Sequence, residues 1–261
     1  MIIRPPSLRC RNNTRQFLTV LGTFLALAMS SKAGSRRFSY SYETTPMAKG
    51  EIELESWLTF KDNMGSDPDF KRLEFRHEIE YGFSDRLQLA LYFADWRYEE
   101  NADTSGDTEF HDVAVEAIYS LTNPNTSAIG SALYGEIKGS DDFVELEAKL
   151  LLQKNMGPWT FVYNIGGEIA WEDDYQNDEA ELMQSAGIAY ELSPSWSVGA
   201  EVLHEIAVPD VEILGDSGVY LGPNIAWRHH NFAAAVTALW QLTSLEDEPD
   251  LQLRTIFSIS F

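Results

Sequence analysis

From residue 50 onward the side chains alternate between apolar and polar in one segment after another, and the last segment shows the rule most plainly. Leu251, Leu253, Phe257, Ile259 and Phe261 share one parity, while Gln252, Arg254, Ser258 and Ser260 hold the other. Successive side chains of a β-strand point to opposite faces, so such a stretch has one greasy face and one wet face. Twelve segments of this kind can be marked, at roughly 50–61, 69–82, 86–98, 110–122, 128–138, 143–154, 159–172, 181–192, 196–208, 218–228, 231–242 and 250–261. Each is as long as, or longer than, the ~9–11 residues a tilted strand needs to cross a bilayer.

Although 44% of the residues are hydrophobic and 12% aromatic, they never gather into a run of about eighteen that could span as a helix. They are dispersed by alternation instead. A closed barrel is the membrane-spanning structure that permits this, because its backbone groups pair between strands and only every second side chain meets lipid. The pattern therefore predicts an all-β fold, a transmembrane antiparallel up-and-down β-barrel of about twelve strands over 50–261, in the bacterial outer membrane. The closing strand, with Phe257, Ile259 and Phe261 on its apolar face, is also the expected address read by the barrel-assembly machinery.

The connections support this by alternating in length. Tight turns surround Phe83-Ser84-Asp85, Asn123-Pro124-Asn125, Asn155-Met156-Gly157-Pro158, Ser193-Pro194-Ser195 and His229-His230, whereas stretches such as Glu99 to Glu109, Glu172 to Glu181 and Ser244 to Asp250 are longer and acidic. Gly139 to Asp142 is the one short member of the second set. With twelve strands both termini face the periplasm, the tight turns fall on that side and the longer loops outside. Aromatics collect near segment ends, with Tyr81, Tyr119, Trp159, Tyr190, Trp196 and Trp227 towards the turns and Phe60, Trp171 and Trp240 towards the loops, as interfacial girdles require.

Ahead of the barrel, Arg4, Arg9, Arg11 and Arg15 precede an apolar run from Phe17 to Met29 and the small-residue pattern Ser31-Lys32-Ala33. This order predicts a secretory signal peptide over 1–33, cut after Ala33. Cleavage removes five of the 19 basic residues and none of the 41 acidic ones, which takes the net charge from −22 to −27. Nucleic acid is an unsuitable partner for so acidic a chain. The single cysteine, Cys10, leaves with the signal, so disulfides, thiolate metal sites and cysteine nucleophiles are excluded. Residues 34–49 carry alternating Phe38, Tyr40 and Tyr42. They read as a periplasmic tail or a partial plug, since a thirteenth strand would break the even count usual in bacterial barrels.

The stretch Thr45-Pro46-Met47-Ala48-Lys49-Gly50-Glu51-Ile52-Glu53, followed by His77-Glu78-Ile79-Glu80-Tyr81-Gly82-Phe83-Ser84-Asp85-Arg86-Leu87-Gln88-Leu89, resembles the opening of a broad outer-membrane family. Its members are transporters of the phenol-degradation meta-pathway type and related uncharacterised barrels. The likeness covers about forty residues and the terminal Phe strand, and its motifs describe a Lys-Gly strand start and a periplasmic turn. It implies an outer-membrane barrel and, through the family, uptake of aromatic or other small apolar compounds.

Enzymatic motifs are thin. Gly215-Asp216-Ser217-Gly218 matches the loop around a trypsin-like nucleophile, but in a Gly- and Asp-rich stretch it reads as a flexible turn. An outer-membrane phospholipase carries a His two residues before a Ser on one strand, and none of His77, His111, His204, His229 or His230 has that spacing. A lipid hydrolase would then have to assemble its triad from distant strands, with His204 and Ser217 as the residues to test. On a strand His229 and His230 would point to opposite faces, and structural metal sites need four converging ligands, so the pair reads as a polar periplasmic turn. Loops such as Asp103 to Glu109 lack the calcium-loop pattern. No catalytic residue, metal or cofactor is expected.

What remains is the polar face. Glu51, Glu53, Arg72, Glu74, Arg76, Glu78, Glu116, Glu145, Glu147, Glu168 and Arg254 are the expected lumen and constriction residues, Glu51, Glu53, Arg72, Glu74, Arg76 and Glu78 forming the narrowest part. Acidic walls favour cations, so the leading expectation is a passive, cation-preferring channel for small solutes, with outer-membrane lipid around it. The alternative is a sealed structural or surface-display barrel, its interior salt-bridged and its acidic loops binding partners or divalent ions.

Overall fold

The computed structural model describes residues 36–102, 106–172, 177–209, 211 and 214–261; the expected signal peptide and parts of three longer loops lie outside them. The described residues form thirteen strands: β1 (Ile52–Met64), β2 (Lys71–Ser84), β3 (Leu87–Glu100), β4 (Asp107–Phe110), β5 (Val113–Thr122), β6 (Gly130–Gly139), β7 (Phe143–Met156), β8 (Trp159–Glu172), β9 (Asn177–Ser193), β10 (Trp196–Pro209), β11 (Ser217–His229), β12 (Phe232–Gln241) and β13 (Pro249–Ser260). β4 and β5 both lie antiparallel to β3 and are parted by His111 and Asp112, so they are two halves of one wall strand. Twelve wall strands result, each antiparallel to its neighbours, and β13 pairs with β1 from Glu53↔Ser260 to Met64↔Pro249. The sheet closes on itself and leaves no edge.

The alternation is realised face by face. Ile79, Leu91, Val115, Leu133, Ile165, Ile225 and Phe257 stand exposed on the outer surface, while Glu53, Glu55, Glu78, Glu116, Glu136, Glu201 and Thr237 are buried inside. In water such a surface would be a collapsing patch; in lipid it is the stable arrangement. Aromatic residues ring the tight-turn end, where Trp159 packs edge-on against Tyr190 at 4.8 Å and Trp196 lies 6.4 Å from Trp227.

One paired irregularity interrupts the rule. On β3 the inward residues are Gln88, Ala90 and Tyr92, but beyond Phe93 inwardness passes to Asp95 and Arg97, and the pairing with β2 skips Phe93. The gap between β4 and β5 makes the matching change. Both shifts keep Trp96 and Phe110 outside, where their rings meet edge-on at 5.6 Å. An extra residue reverses the facing of everything beyond it.

Residues 36–48 fold into the barrel from its tight-turn end, where Arg36 and Arg37 lie beside Ser195, Trp196 and Arg228. Phe38, Ser39 and Thr44 are fully buried, and Tyr40, Ser41 and Tyr42 nearly so. The chain then leaves by the tight-turn end, where Gly50, with φ of +87°, turns it into β1 and donates its N–H to the Gly82 carbonyl at 2.7 Å. A φ in that range suits glycine.

Candidate functional site

The lumen is the concave, charged surface of this molecule, and its geometry follows from strand register. Direct cross-strand pairing sets Glu53 opposite Glu80, then, across Ala90, Glu116 opposite Glu136, Glu136 opposite Glu147, Glu147 opposite Glu168, and Glu168 opposite Glu181. Because barrel strands tilt, a row of paired residues climbs as it passes round the wall. This row begins near the tight-turn end of β1 and reaches the loop end of β9, a ramp of carboxylates along the bore.

Like charges set directly opposite repel, and the wall answers with interleaved cations. Arg76 bridges Asp95 at 2.8 Å and Glu136 at 3.2 Å and lies over the Tyr92 ring at 4.0 Å. Lys138 meets Glu145 at 2.6 Å and Glu168 at 4.0 Å. Lys149 pairs with Glu147 and lies over Tyr134. Lys61 holds Glu74 at 3.1 Å, and Arg254 reaches Thr59 Oγ1 at 3.0 Å.

All eleven residues expected in the lumen carry the inward parity, but they are spread from one mouth to the other rather than gathered in a ring. Glu51 and Glu53 stand at the tight-turn mouth, where Glu51 accepts the Ala48 N–H and Glu53 the Ser260 hydroxyl. Arg72 stands near the loop end with Glu99 at 2.7 Å. Between them Glu78 is fully buried, and Glu116 accepts from Tyr92 Oη at 2.8 Å. Carboxylate oxygens of Glu55, Glu78 and Glu80 come within 4.8 Å of one another, a spacing a divalent cation could use. Arg36 already sends a guanidinium nitrogen to Glu55 there at 2.6 Å, and the Trp57 indole N–H lies 2.8 Å from Glu55 and 3.0 Å from Glu78.

The middle of the bore is occupied by residues 36–44, held by wall side chains. Glu201 accepts three successive backbone N–H groups, from Ser39 at 2.9 Å, Tyr40 at 2.9 Å and Ser41 at 2.8 Å, and the Thr237 hydroxyl at 2.5 Å. Asn164 exchanges two hydrogen bonds with the Tyr42 backbone, and Gln153 accepts the Thr44 N–H at 2.8 Å. Each ring of the segment has its own apolar seat. Phe38 packs on Val162 and Ala189, Tyr40 on Leu203, Tyr220 and Leu239, and Tyr42 on Trp57, Tyr134, Leu151 and Ile256. Gly187 makes room for this, since a Cβ there would stand 2.6 Å from the Phe38 ring. Cations complete the seats: Arg254 lies 4.1 Å from the Tyr40 ring centre and Arg36 4.8 Å from that of Tyr42. A cavity of about 390 Å³ lies on the loop side of the segment and one of about 250 Å³ on the turn side, with Tyr42 in the lining of both.

The sequence did not single out Asn164, Gln153 or Gln88, which accepts the Met47 N–H at 2.8 Å, as holders of this segment. Isolated amides among inward positions were the available signal, together with Val162, an apolar residue on a polar face.

The fold is that of the outer-membrane β-barrels. The chain belongs to a family of unknown function, DUF6662, whose model matches residues 30–250. No curated protein matches it in sequence. Among solved structures it is similar to the COG4313 outer membrane channel from Pseudomonas putida F1, at 11% identity and a TM-score of 0.63 over 86% of this chain and 100% of that one. The NanC porin is similar at 8% identity and a TM-score of 0.55, over 79% and 98%. The translocator domain of the autotransporter NalP from Neisseria meningitidis matches at 8% and 0.51, over 95% and 96%.

Proposed function

We propose that this barrel is a passive outer-membrane channel for small solutes, cation-preferring, with its bore throttled by residues 36–48. The tight turns and the entry of that segment face the periplasm, the longer loops face outward, and the closing strand with Phe257, Ile259 and Phe261 is the part offered to the assembly machinery. The observation that carries the reading is the carboxylate ramp from Glu53 to Glu181, which follows the bore with fewer cations than acids beside it. Such a wall lowers the energy of a cation along the path and raises that of an anion. An acidic polymer such as the oligogalacturonate in complex with the KdgM porin would be disfavoured. The rings of Tyr40, Tyr42, Trp57 and Tyr134 around the larger cavity suit small aromatic or cationic solutes, in keeping with the resemblance to transporters of the phenol-degradation type.

Planar-bilayer recordings of refolded protein test this. Discrete steps with a cation-selective reversal potential in a salt gradient are expected, and replacing both Glu74 and Glu78 with Gln should move that potential towards zero. An unchanged potential would remove those two residues from the selectivity argument. The second reading is a sealed structural barrel, favoured by the full burial of Phe38 and Thr44 inside the bore; it predicts no steps at all.

A further inference from the structure

Four polar side chains form a chain across four neighbouring strands on the lipid-facing side of the wall. Tyr163 on β8, Gln184 on β9, His204 on β10 and Ser217 on β11 all carry the outward parity, opposite to the inward Asn164, Ser185, Leu203 and Gly218. Tyr163 Oη donates to Gln184 Oε1 at 2.5 Å, the Gln184 amide nitrogen lies 3.4 Å from His204 Nδ1, and His204 Nε2 lies 2.8 Å from Ser217 Oγ. Gln184 and His204 are directly paired across β9 and β10, while Ser217 sits diagonally from His204, two residues from its partner Val219. No histidine precedes a serine by two residues in the sequence, yet antiparallel pairing of β10 with β11 creates the same neighbourhood from residues 13 apart.

The arrangement is that of a nucleophile, a base and a group that orients the base. Turning the Gln184 carboxamide over, an exchange of two atoms of nearly equal size, lets Oε1 accept Nδ1–H and Nε2 donate to Tyr163 Oη. The free lone pair of the imidazole then faces Ser217. The site also lies at the loop end of the wall, the level at which a lipid ester would meet water. Ser217 is the first residue of β11, at the loop end of the wall, and β10 ends only at Pro209, a turn of strand beyond His204. Which leaflet this is rests on the orientation proposed above.

We infer that Ser217, His204 and Gln184 form an acyl-transfer site that hydrolyses ester bonds of lipids bordering the barrel. Ser217 Oγ attacks the ester carbonyl carbon while His204 Nε2 takes its proton. The bond from the carbonyl carbon to the alcohol oxygen then breaks, and that oxygen leaves with the proton from His204. Water, deprotonated by the same nitrogen, attacks the acyl-serine, which releases the fatty acid and returns the proton to Ser217. Ser217 and His204 are the catalytic residues; Gln184 is a positioning residue.

The test uses refolded full-length mature protein in mixed micelles of detergent and phosphatidylcholine, with a fluorophosphonate probe in parallel. Covalent labelling mapped to Ser217 and release of fatty acid are expected. Ser217→Ala should abolish both, and His204→Asn should lower the rate by at least about 100-fold, the usual worth of a general base. Gln184→Ala should cost less and shift the pH profile of the reaction, which a purely structural role would not do. The outward pair Ser56 and His77, 3.0 Å apart on β1 and β2, has no third hydrogen-bonding residue aligned with it among the described residues, and Ser56→Ala should change nothing. Channel steps should persist in Ser217→Ala, so a failure here is distinct from a failure of the channel reading. Folded wild-type barrel that neither takes the label nor releases fatty acid, or release undiminished in Ser217→Ala, overturns the inference.

Discussion

The wall strands and residues 36–48 satisfy the same kind of backbone groups by different means. In the wall, N–H and C=O pair with a neighbouring strand, so β13 is locked to β1 and β12 along nearly its whole length. In the inserted segment the backbone turns to side chains instead, the Glu201 carboxylate, the Asn164 amide and the Gln153 amide. A closed ladder comes apart only with the whole barrel. A segment hung on side chains can leave while the ladder stays intact, the contrast that the proposed throttling of the bore would use.

The largest effect should come from breaking the wall. Leu150 faces lipid near the middle of β7, and Leu151 beside it is fully buried in the apolar cluster that includes Tyr42. Leu150→Arg should cost about 2–4 kcal/mol in reversible unfolding from lipid vesicles. Leu151→Arg, turned into the bore, should spare the wall and disturb the segment, seen as altered conductance with little change in unfolding. Equal losses for the two would erase the distinction between faces.

Next comes the holder of the segment. Glu201→Ala strands three backbone N–H groups inside the bore, each bond to a charged acceptor being worth about 1.5–3 kcal/mol. The segment should loosen, with larger or noisier steps and faster proteolysis of residues 36–48, while the barrel keeps its heat-modifiable migration in gels. Protection of the segment equal to wild type would show that the aromatic seats hold it alone.

Gly187→Ala should act least. Its Cβ would stand 2.6 Å from the Phe38 ring and 2.9 Å from the Val162 side chain, so the ring must swing aside or the segment must move. A small rise in open-state noise is expected; none would mean that the ring swings aside freely.

Strand positions were legible because alternation is written locally, and the twelve marked segments coincide with the wall to within a few residues at most ends. The parity change at Phe93 and at His111-Asp112 was not, since one inserted residue leaves no compositional trace and only pairing reveals it. In the lumen, the charged residues could be assigned to a face, but not their distribution along the bore, which depends on strand tilt. The aromatic triplet Phe38, Tyr40 and Tyr42 announced a segment that seeks apolar partners. That those partners were Val162, Leu151 and Ile256, each an exception to the polar face, became readable only with the chain in place. His204 and Ser217 meet for the same reason, through register rather than spacing.

The most direct test compares single-channel currents of refolded residues 34–261 with those of a variant also lacking residues 36–48, both checked for folding by heat-modifiable migration. The account predicts a several-fold larger, quieter step without the segment and cation selectivity retained in both. Identical steps in the two proteins, or silence from both, would contradict it.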